Sequence, residues 1–351
     1  MLLSKKIEQI RIESSVSALK ALKQMDKTRK RLLLVFRKDL FLGLLSIGDI
    51  QRAIIKGISL DTQIVDILKR KPKIGYVNTP IEEIKREMLQ FRMEFMPIID
   101  QNGCICNVYF WEDLFVKTEL PPNKQFNLPL VIMAGGFGSR MKPLTNVLPK
   151  PLIPIGDKTI LEDIFERFSN HGCNTFYVSI NYKADLIRYY IQNQKLPYKI
   201  EYFEEDEPMG TAGSLSLLKG KINTTFFVSN CDILIDQDYS EILDYHYSNK
   251  NDITVVAALK HFPIAYGTIE TGANGRLLKL VEKPELTFKI NSGMYILEPH
   301  LLDEIPENQF LHITNLIEKI LERKGNVGVF PVSEKSWKDI GDWHEYMNNI
   351  F

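Results

Sequence analysis

Gly135, Gly136, Gly138, Arg140 and Lys150 fall within the segment LVIMAGGFGSRMKPLTNVLPKPL at 130–152. Glycines in such a turn permit positive φ and leave no side chain between the backbone and a ligand. Successive N–H groups there form a concavity for an anion. Arg140 and Lys150, ten residues apart, then add fixed positive charge. A backbone that can approach phosphate, followed by two cations, suits a nucleoside triphosphate. The spacing is not that of a Walker loop, G-x-x-x-x-G-K-[ST]. Nor is it a dinucleotide fingerprint, because Arg140 stands where that motif places its third glycine.

These residues need a frame. From residue 128 the chain alternates apolar strands with helix-spaced segments. Strands are predicted at 130–134, 174–180, 198–203, 224–229, 252–259, 292–297 and 327–332. Helices are predicted at 159–170, 184–192, 210–218, 239–248 and 312–323. Such alternation argues for an α/β domain around a mixed, mostly parallel sheet, with ligands at the carboxyl ends of the strands. Asp232 follows the apolar run 226–229 and should project from such an end.

The G-G-x-G-x-R run followed by Pro149-Lys150-Pro151 resembles the signature of the sugar-1-phosphate nucleotidylyltransferases. The resemblance spans about residues 128–351 and implies a Rossmann-like domain. It also implies transfer of a nucleotidyl group from an NTP to a sugar 1-phosphate, with release of pyrophosphate. Such a reaction brings two anions together, so positioning and fixed charge carry most of the catalysis. By the resemblance, Ala134 and the three glycines line the nucleotide, Arg140 holds the triphosphate, and Lys150 lies near the reacting phosphates. Asp232 and Asp339, the latter in Trp337-Lys-Asp-Ile-Gly341, are the implied Mg²⁺ ligands, with Asp342 the alternative to Asp339. Two carboxylates suit a hard cation.

Further motifs follow the family's order. In Glu282-Lys283-Pro284, Lys283 is implied to hold the sugar phosphate and Glu282 to accept from sugar hydroxyls. Gly267 and Asn291 match positions lining the sugar pocket. The segment 203–215 resembles the base-reading loop, with Gly210 beside the base. Glu205 stands where pyrimidine-using members often carry Gln. A carboxylate can accept from both guanine donors in bidentate fashion, so Glu205 favours GTP. The register within Glu204-Glu-Asp-Glu207 is open.

The first part of the chain holds an imperfect repeat. Helix-spaced Val16, Leu19 and Leu22 precede an apolar run at 32–36, a charged turn and a second strand ending near Asp49. The pattern recurs about 64 residues later, from Ile81, Ile84 and Met88 to Asp113. Paired repeats bury each other's apolar faces. This α+β half, residues 1–118 with repeats at about 1–65 and 66–118, resembles a CBS pair. That resemblance implies an adenine nucleotide between the repeats, with Asp49 and Asp113 on ribose hydroxyls. Each Asp is alternatively, and by preference, read as a helix cap. The half is alternatively a packing or dimerisation module without a ligand. The proline-bearing stretch 119–127 reads as a linker.

Combined, the two resemblances point to CBS-fused bacterial guanylyltransferases that make GDP-glucosamine for legionaminic acid, a flagellin sugar. Mannose or glucose 1-phosphate, and UTP, dTTP or CTP, remain open. So does a catalytically silent nucleotide-sensing subunit. Lys+Arg and Asp+Glu balance at 44 each, which argues against a nucleic-acid binder working by bulk charge. No apolar run is long enough for a signal peptide or a membrane span. Four cysteines form neither a disulfide framework nor a zinc knuckle. The expectation is a cytoplasmic enzyme, with a homo-oligomer open.

Overall fold

The structure is a computed structural model describing residues 2–68, 72–115, 123–205, 207–341, 343, 346 and 347. It divides into two compact units, Met1–Pro121 and Pro122–Phe351. Part of the linker stretch (119–122), Asp206 and Asp342 lie outside the described residues.

The first unit contains two three-stranded sheets built alike. One is Arg11–Glu13, Leu32–Arg37 and Leu40–Ser46; the other is Gly75–Tyr76, Phe95–Ile99 and Ile105–Phe110. In each, the first pair is parallel and the second antiparallel. Arg11 lies opposite Leu34, and Gly75 lies opposite Ile98, the same pairing shifted by 64 residues. A helix precedes the second strand of each sheet, Ala18–Thr28 and Ile81–Phe91. The two acids expected at ribose also make contacts within this unit. Asp49 completes a capping box, its Oδ2 accepting from Ser46 N at 2.9 Å and Ser46 Oγ at 2.6 Å. Its Oδ1 accepts from Arg52 Nη2 at 2.5 Å. Asp113 sits in the short helix Trp111–Leu114 and accepts from Lys6 Nζ at 3.2 Å. Asp49 therefore serves its own helix start, satisfying donors the helix leaves unpaired.

The second unit is organised by a seven-stranded sheet. Beside a short ribbon of Pro154–Ile155 with Lys158–Thr159, its strands in chain order, two further ribbons included, are β1 Leu130–Met133, β2 Thr175–Ile180, β3 Lys199–Glu204, β4 Phe226–Asn230, β5 Ile233–Ile235 and β6 Ile253–Pro263. They continue with β7 Thr268–Thr271, β8 Leu277–Val281, β9 Glu285–Leu297, β10 Val327–Val332 and β11 Trp337–Asp339. The large sheet runs β3-β2-β1-β4-β9-β6-β10. Only β9 is antiparallel to its neighbours; the other four pairings are parallel. Leu130, Val131 and Ile132 are fully buried, because a central parallel strand is covered on both faces and so reads as an unbroken apolar run. The helix Ile160–Ser169 buries Ile160, Leu161, Ile164, Phe165 and Phe168 along one side, behind a Thr159–Glu162 capping box. Each such side chain contributes about 1.5–3 kcal/mol.

Chain order reverses direction across the sheet between β1 and β4. This switch point, at the strands' carboxyl ends, is where open α/β sheets form a crevice. Two elements differ from the sequence reading. The strand predicted at 292–297 begins at Glu285, because β9 pairs with β6 as far as Pro263. The helix predicted at 210–218 is one turn, Gly210–Gly213, followed by a 3-10 segment. The amides of Ala212 and Gly213 donate instead to Leu311 O, at 2.9 and 3.1 Å.

Candidate active site

A cleft of about 330 Å³ opens at the switch point. Its walls come from the turn after β1 (Gly135, Gly136, Gly138, Arg140), from Lys150, from the ends of β2 and β3 (Ser179, Asn181, Glu205) and from the end of β4 and the residues after it (Asn230 to Asp232). Gly210, Thr211, Phe310 and Gly341 also line it, with Met133, Phe137, Ser139 and Pro208.

The three glycines do different things. Only Gly138 uses the positive φ that all three permit, at +62°. A Cβ on Gly138 would lie 2.8 Å from Thr145 Cγ2 and 3.2 Å from Lys150 Cβ. That glycine lets the turn fold against the 144–150 segment. Nothing lies within 4 Å of a Cβ on Gly136, so its backbone is open towards the cleft. The segment 144–147 is held by Lys183 Nζ, which donates to the carbonyls of Asn146 and Val147 at 2.6 and 2.9 Å. Ala134 is buried, its N–H donating to Ser179 O at 3.1 Å, and does not line the cleft.

The charged centre is Asp232. Buried Lys150 donates through Nζ to Asp232 Oδ2, and Arg140 Nη2 lies 3.9 Å from the same oxygen. Asp339 reaches this point through the ribbon of β5 and β11, where it lies opposite Ile233. The Ile340 amide donates to Asp232 O at 2.8 Å, extending the pairing. A Cβ on Gly341 would lie 2.4 Å from Asp339 Oδ1, 2.8 Å from Asp232 Oδ2 and 3.0 Å from Arg140 Nη2. Two carboxylates and a guanidinium thus converge where residue 341 has no side chain. Burial, then the charge of Asp232, raises the Asp339 pKa above its ordinary value, and the Gly341 N–H and the two cations oppose the shift. Among the described residues no group of three or more His, Cys, Asp or Glu forms a metal cage. Two carboxylate ligands that repel each other still fit a hard divalent cation that keeps water and substrate oxygens as its other ligands.

Glu205 is buried at the end of β3. Its Oε1 accepts from Ser179 Oγ at 2.7 Å and its Oε2 from Met209 N at 2.8 Å. Each oxygen keeps one lone pair, so the edge is fixed in place and still able to accept. Glu204 is exposed and paired with Arg188 at 2.5 Å, and Glu207 is exposed. Among the described acids of that run, only Glu205 lines the cleft. Gly210 lines it too, but its glycine requirement has another origin. With φ +77°, a Cβ there would lie 2.6 Å from Leu311 O, so the residue is small because the 309–313 segment packs on it.

A model of the nucleotidyl transferase family matches residues 130–350. The chain belongs to that family. The nucleotidyl transferase unit is 36% identical over 182 residues to the mannose-1-phosphate guanylyltransferase catalytic subunit beta of Dictyostelium discoideum, covering 50% of this chain and 51% of that protein. It is 31% identical over 229 residues to mannose-1-phosphate guanylyltransferase 1 of Arabidopsis thaliana, covering 63% of each. The chain thus spans about half to two thirds of the length of these curated relatives. The crystal structure of HddC from Yersinia pseudotuberculosis matches with a TM-score of 0.50 and 26% identity, over 64% of this chain and 98% of that one. A structure of HddC complexed with GMP-PN matches with the same TM-score and coverage at 25% identity.

The residues expected around the sugar are not on the wall of this nucleotidyl transferase cleft. Gly267 and Glu282 are neighbours at the base of the β7–β8 hairpin, a Cβ on Gly267 lying 3.0 Å from Glu282 Oε2. Lys283 follows, exposed, with φ +43°. Asn291 lies on β9 at its bulge against β6, and its Oδ1 accepts from Gly293 N at 3.1 Å. This Asx turn is what its position beside Gly293, φ +86°, asks for. Sequence reading overlooked Ser179, Asn181, Asn230 and Phe310. The first three lie at or just past the carboxyl ends of β2 and β4, where the carboxyl-end rule could have found them; Phe310 carried no such signal.

Proposed function

We propose that this protein transfers a guanylyl group from GTP to a hexose 1-phosphate, giving a GDP-sugar and pyrophosphate. The observation that carries this reading is that Arg140, Lys150, Asp232 and Glu205 line one cleft, with the Asp339 carboxylate meeting Asp232 beside Gly341. The guanylyltransferase relatives and the GMP-PN complex of HddC support the choice of base.

The turn after β1, open at Gly136, lets phosphate approach its N–H groups, and Arg140 and Lys150 place positive charge beside it. These cations offset repulsion between the two anionic substrates and stabilise the charge that develops on the departing pyrophosphate. Asp232 and Asp339 would hold Mg²⁺, which supplies charge neutralisation at the phosphates. Glu205, fixed by Ser179 and Met209, accepts from guanine N1–H and the 2-amino group. The sugar 1-phosphate is assigned to the side bearing Gly267, Glu282, Lys283 and Asn291. Glu282 accepts from sugar hydroxyls and Lys283 pairs with the phosphate. No group needs to act as a covalent nucleophile.

Glucosamine 1-phosphate is the proposed sugar, for a glycan sugar of the legionaminic type. This rests on the fusion of the transferase unit with the repeat-built first unit, read as a CBS pair that takes an adenine nucleotide. Asp49, engaged in its cap, is the weaker of the two ribose candidates, and Asp113 the stronger. Pyrophosphate release measured with GTP, UTP, dTTP and CTP against glucosamine, mannose and glucose 1-phosphates tests the proposal. Turnover confined to a nucleotide other than GTP overturns the guanylyl assignment, and absence of turnover with every pair overturns the reaction.

A further inference from the structure

We propose that Phe310 is the base-stacking residue of the cleft, a role that rests on the nucleotide reading above. Its ring is 63% exposed yet lines the cleft beside Gly210, Thr211 and Glu205. A single exposed phenylalanine is ordinary on a protein surface. This one is held on a built platform. The next residue, Leu311, donates its N–H to Met209 O at 2.9 Å and accepts from Ala212 and Gly213 through its carbonyl. Ile313 N donates to Thr211 Oγ1 at 3.0 Å. A side chain at Gly210 or Gly213 would strike this segment, at Leu311 O (2.6 Å) and Gln309 O (2.4 Å) respectively. Two glycines therefore allow the 309–313 segment to seat against the loop that follows Glu205.

His312 meets the Phe310 ring edge-to-face, with centroids 4.8 Å apart and planes at 81°. Such packing fixes the ring's attitude and covers at most one of its faces. The Glu205 carboxylate can fix a base only within the base's own plane, through hydrogen bonds to its edge. Holding the base in the third direction needs contact with its face, and an exposed aromatic ring supplies it. Stacking is tolerant of base identity, so Phe310 adds affinity while Glu205 selects. A purine offers the larger face and gains more.

The test compares wild type, Phe310→Ala and Phe310→Trp for binding of GTP and of inorganic tripolyphosphate, each with Mg²⁺. The alanine variant should bind GTP roughly 10- to 100-fold more weakly while tripolyphosphate affinity is unchanged, and tryptophan should restore GTP binding. Parallel loss of both ligands in the alanine variant marks a scaffolding role and overturns the proposal. A wild type that prefers GTP to tripolyphosphate, with an alanine variant that keeps that preference in full, overturns it alone. A wild type that binds tripolyphosphate as tightly as GTP overturns the nucleotide reading and this one with it.

Discussion

The Asp232 carbonyl accepts the amide that follows Asp339, and this backbone bond holds the two carboxylates at one point of the cleft. Their side chains come from distant parts of the chain, joined by the β5–β11 ribbon. Replacing Asp232 by Asn should lower turnover by on the order of 100- to 1,000-fold, since it removes charge and keeps volume. Lys150 keeps an acceptor in the amide oxygen, so the stability loss should stay below the roughly 3–5 kcal/mol of a broken buried pair. Steady-state rates at saturating Mg²⁺ and a thermal melt check this. Near-normal turnover would remove Asp232 from the proposed metal site.

Gly341 is the second test of the same geometry. A methyl group there would collide with Asp339 Oδ1 and Asp232 Oδ2 and crowd Arg140. Gly341→Ala should cost about 100-fold in kcat, the scale of an ångström-sized misplacement of reacting groups, with the fold retained. Unchanged kcat would mean that the carboxylates act from another arrangement.

Glu205→Gln should reduce the preference for GTP over UTP. It should also lower stability by about 1–3 kcal/mol, because either Ser179 Oγ or Met209 N loses its buried acceptor. The ratio of kcat/KM for the two nucleotides separates the effects, since lost stability alone leaves that ratio where it was.

Cys231 lines the cleft beside Asp232, but its thiol is not a nucleophile at neutral pH. Burial, then the charge of Asp232, pushes its pKa up to about 12. Iodoacetamide at pH 8 should alkylate the exposed Cys104 and Cys106 and spare Cys231 until the protein is denatured. Peptide mass spectrometry reads the outcome, and equal labelling rates for Cys231 and Cys104 would contradict it.

His246 gives a pH dependence of stability. Its ring nitrogens contact Thr254 Oγ1 at 2.8 Å and Glu298 Oε1 at 3.0 Å. Burial lowers its pKa, against the opposing pull of Glu298. The unfolded chain then binds the proton more readily, so this contribution is present above the ordinary histidine value of about 6.5 and is lost as pH falls below it. The loss is at most about 1.4 kcal/mol per pH unit. Melts from pH 7.5 to 5 should show a steeper decline in wild type than in His246→Gln; equal slopes would place the sensitivity elsewhere.

Local pattern was enough to nominate groups of residues for the cleft and to read the order of the elements that carry them. A glycine turn after an apolar strand, two cations and an aspartate at a strand end are local patterns, and burial on both faces leaves a parallel strand legible as an unbroken apolar run. The 64-residue repeat was legible for the same reason, because each copy writes its own helix and strands. Which groups meet depends on packing between segments far apart in the chain. That Asp339 stands with Asp232 depends on a ribbon between distant segments. That Glu205 rather than Glu204 faces the cleft depends on the pleat of β3, where one residue of slip changes the face. Gly210 and Phe310 became intelligible together, since the first is small so that the segment carrying the second can dock. Such contacts join residues whose separation along the chain is arbitrary, so no local spacing records them.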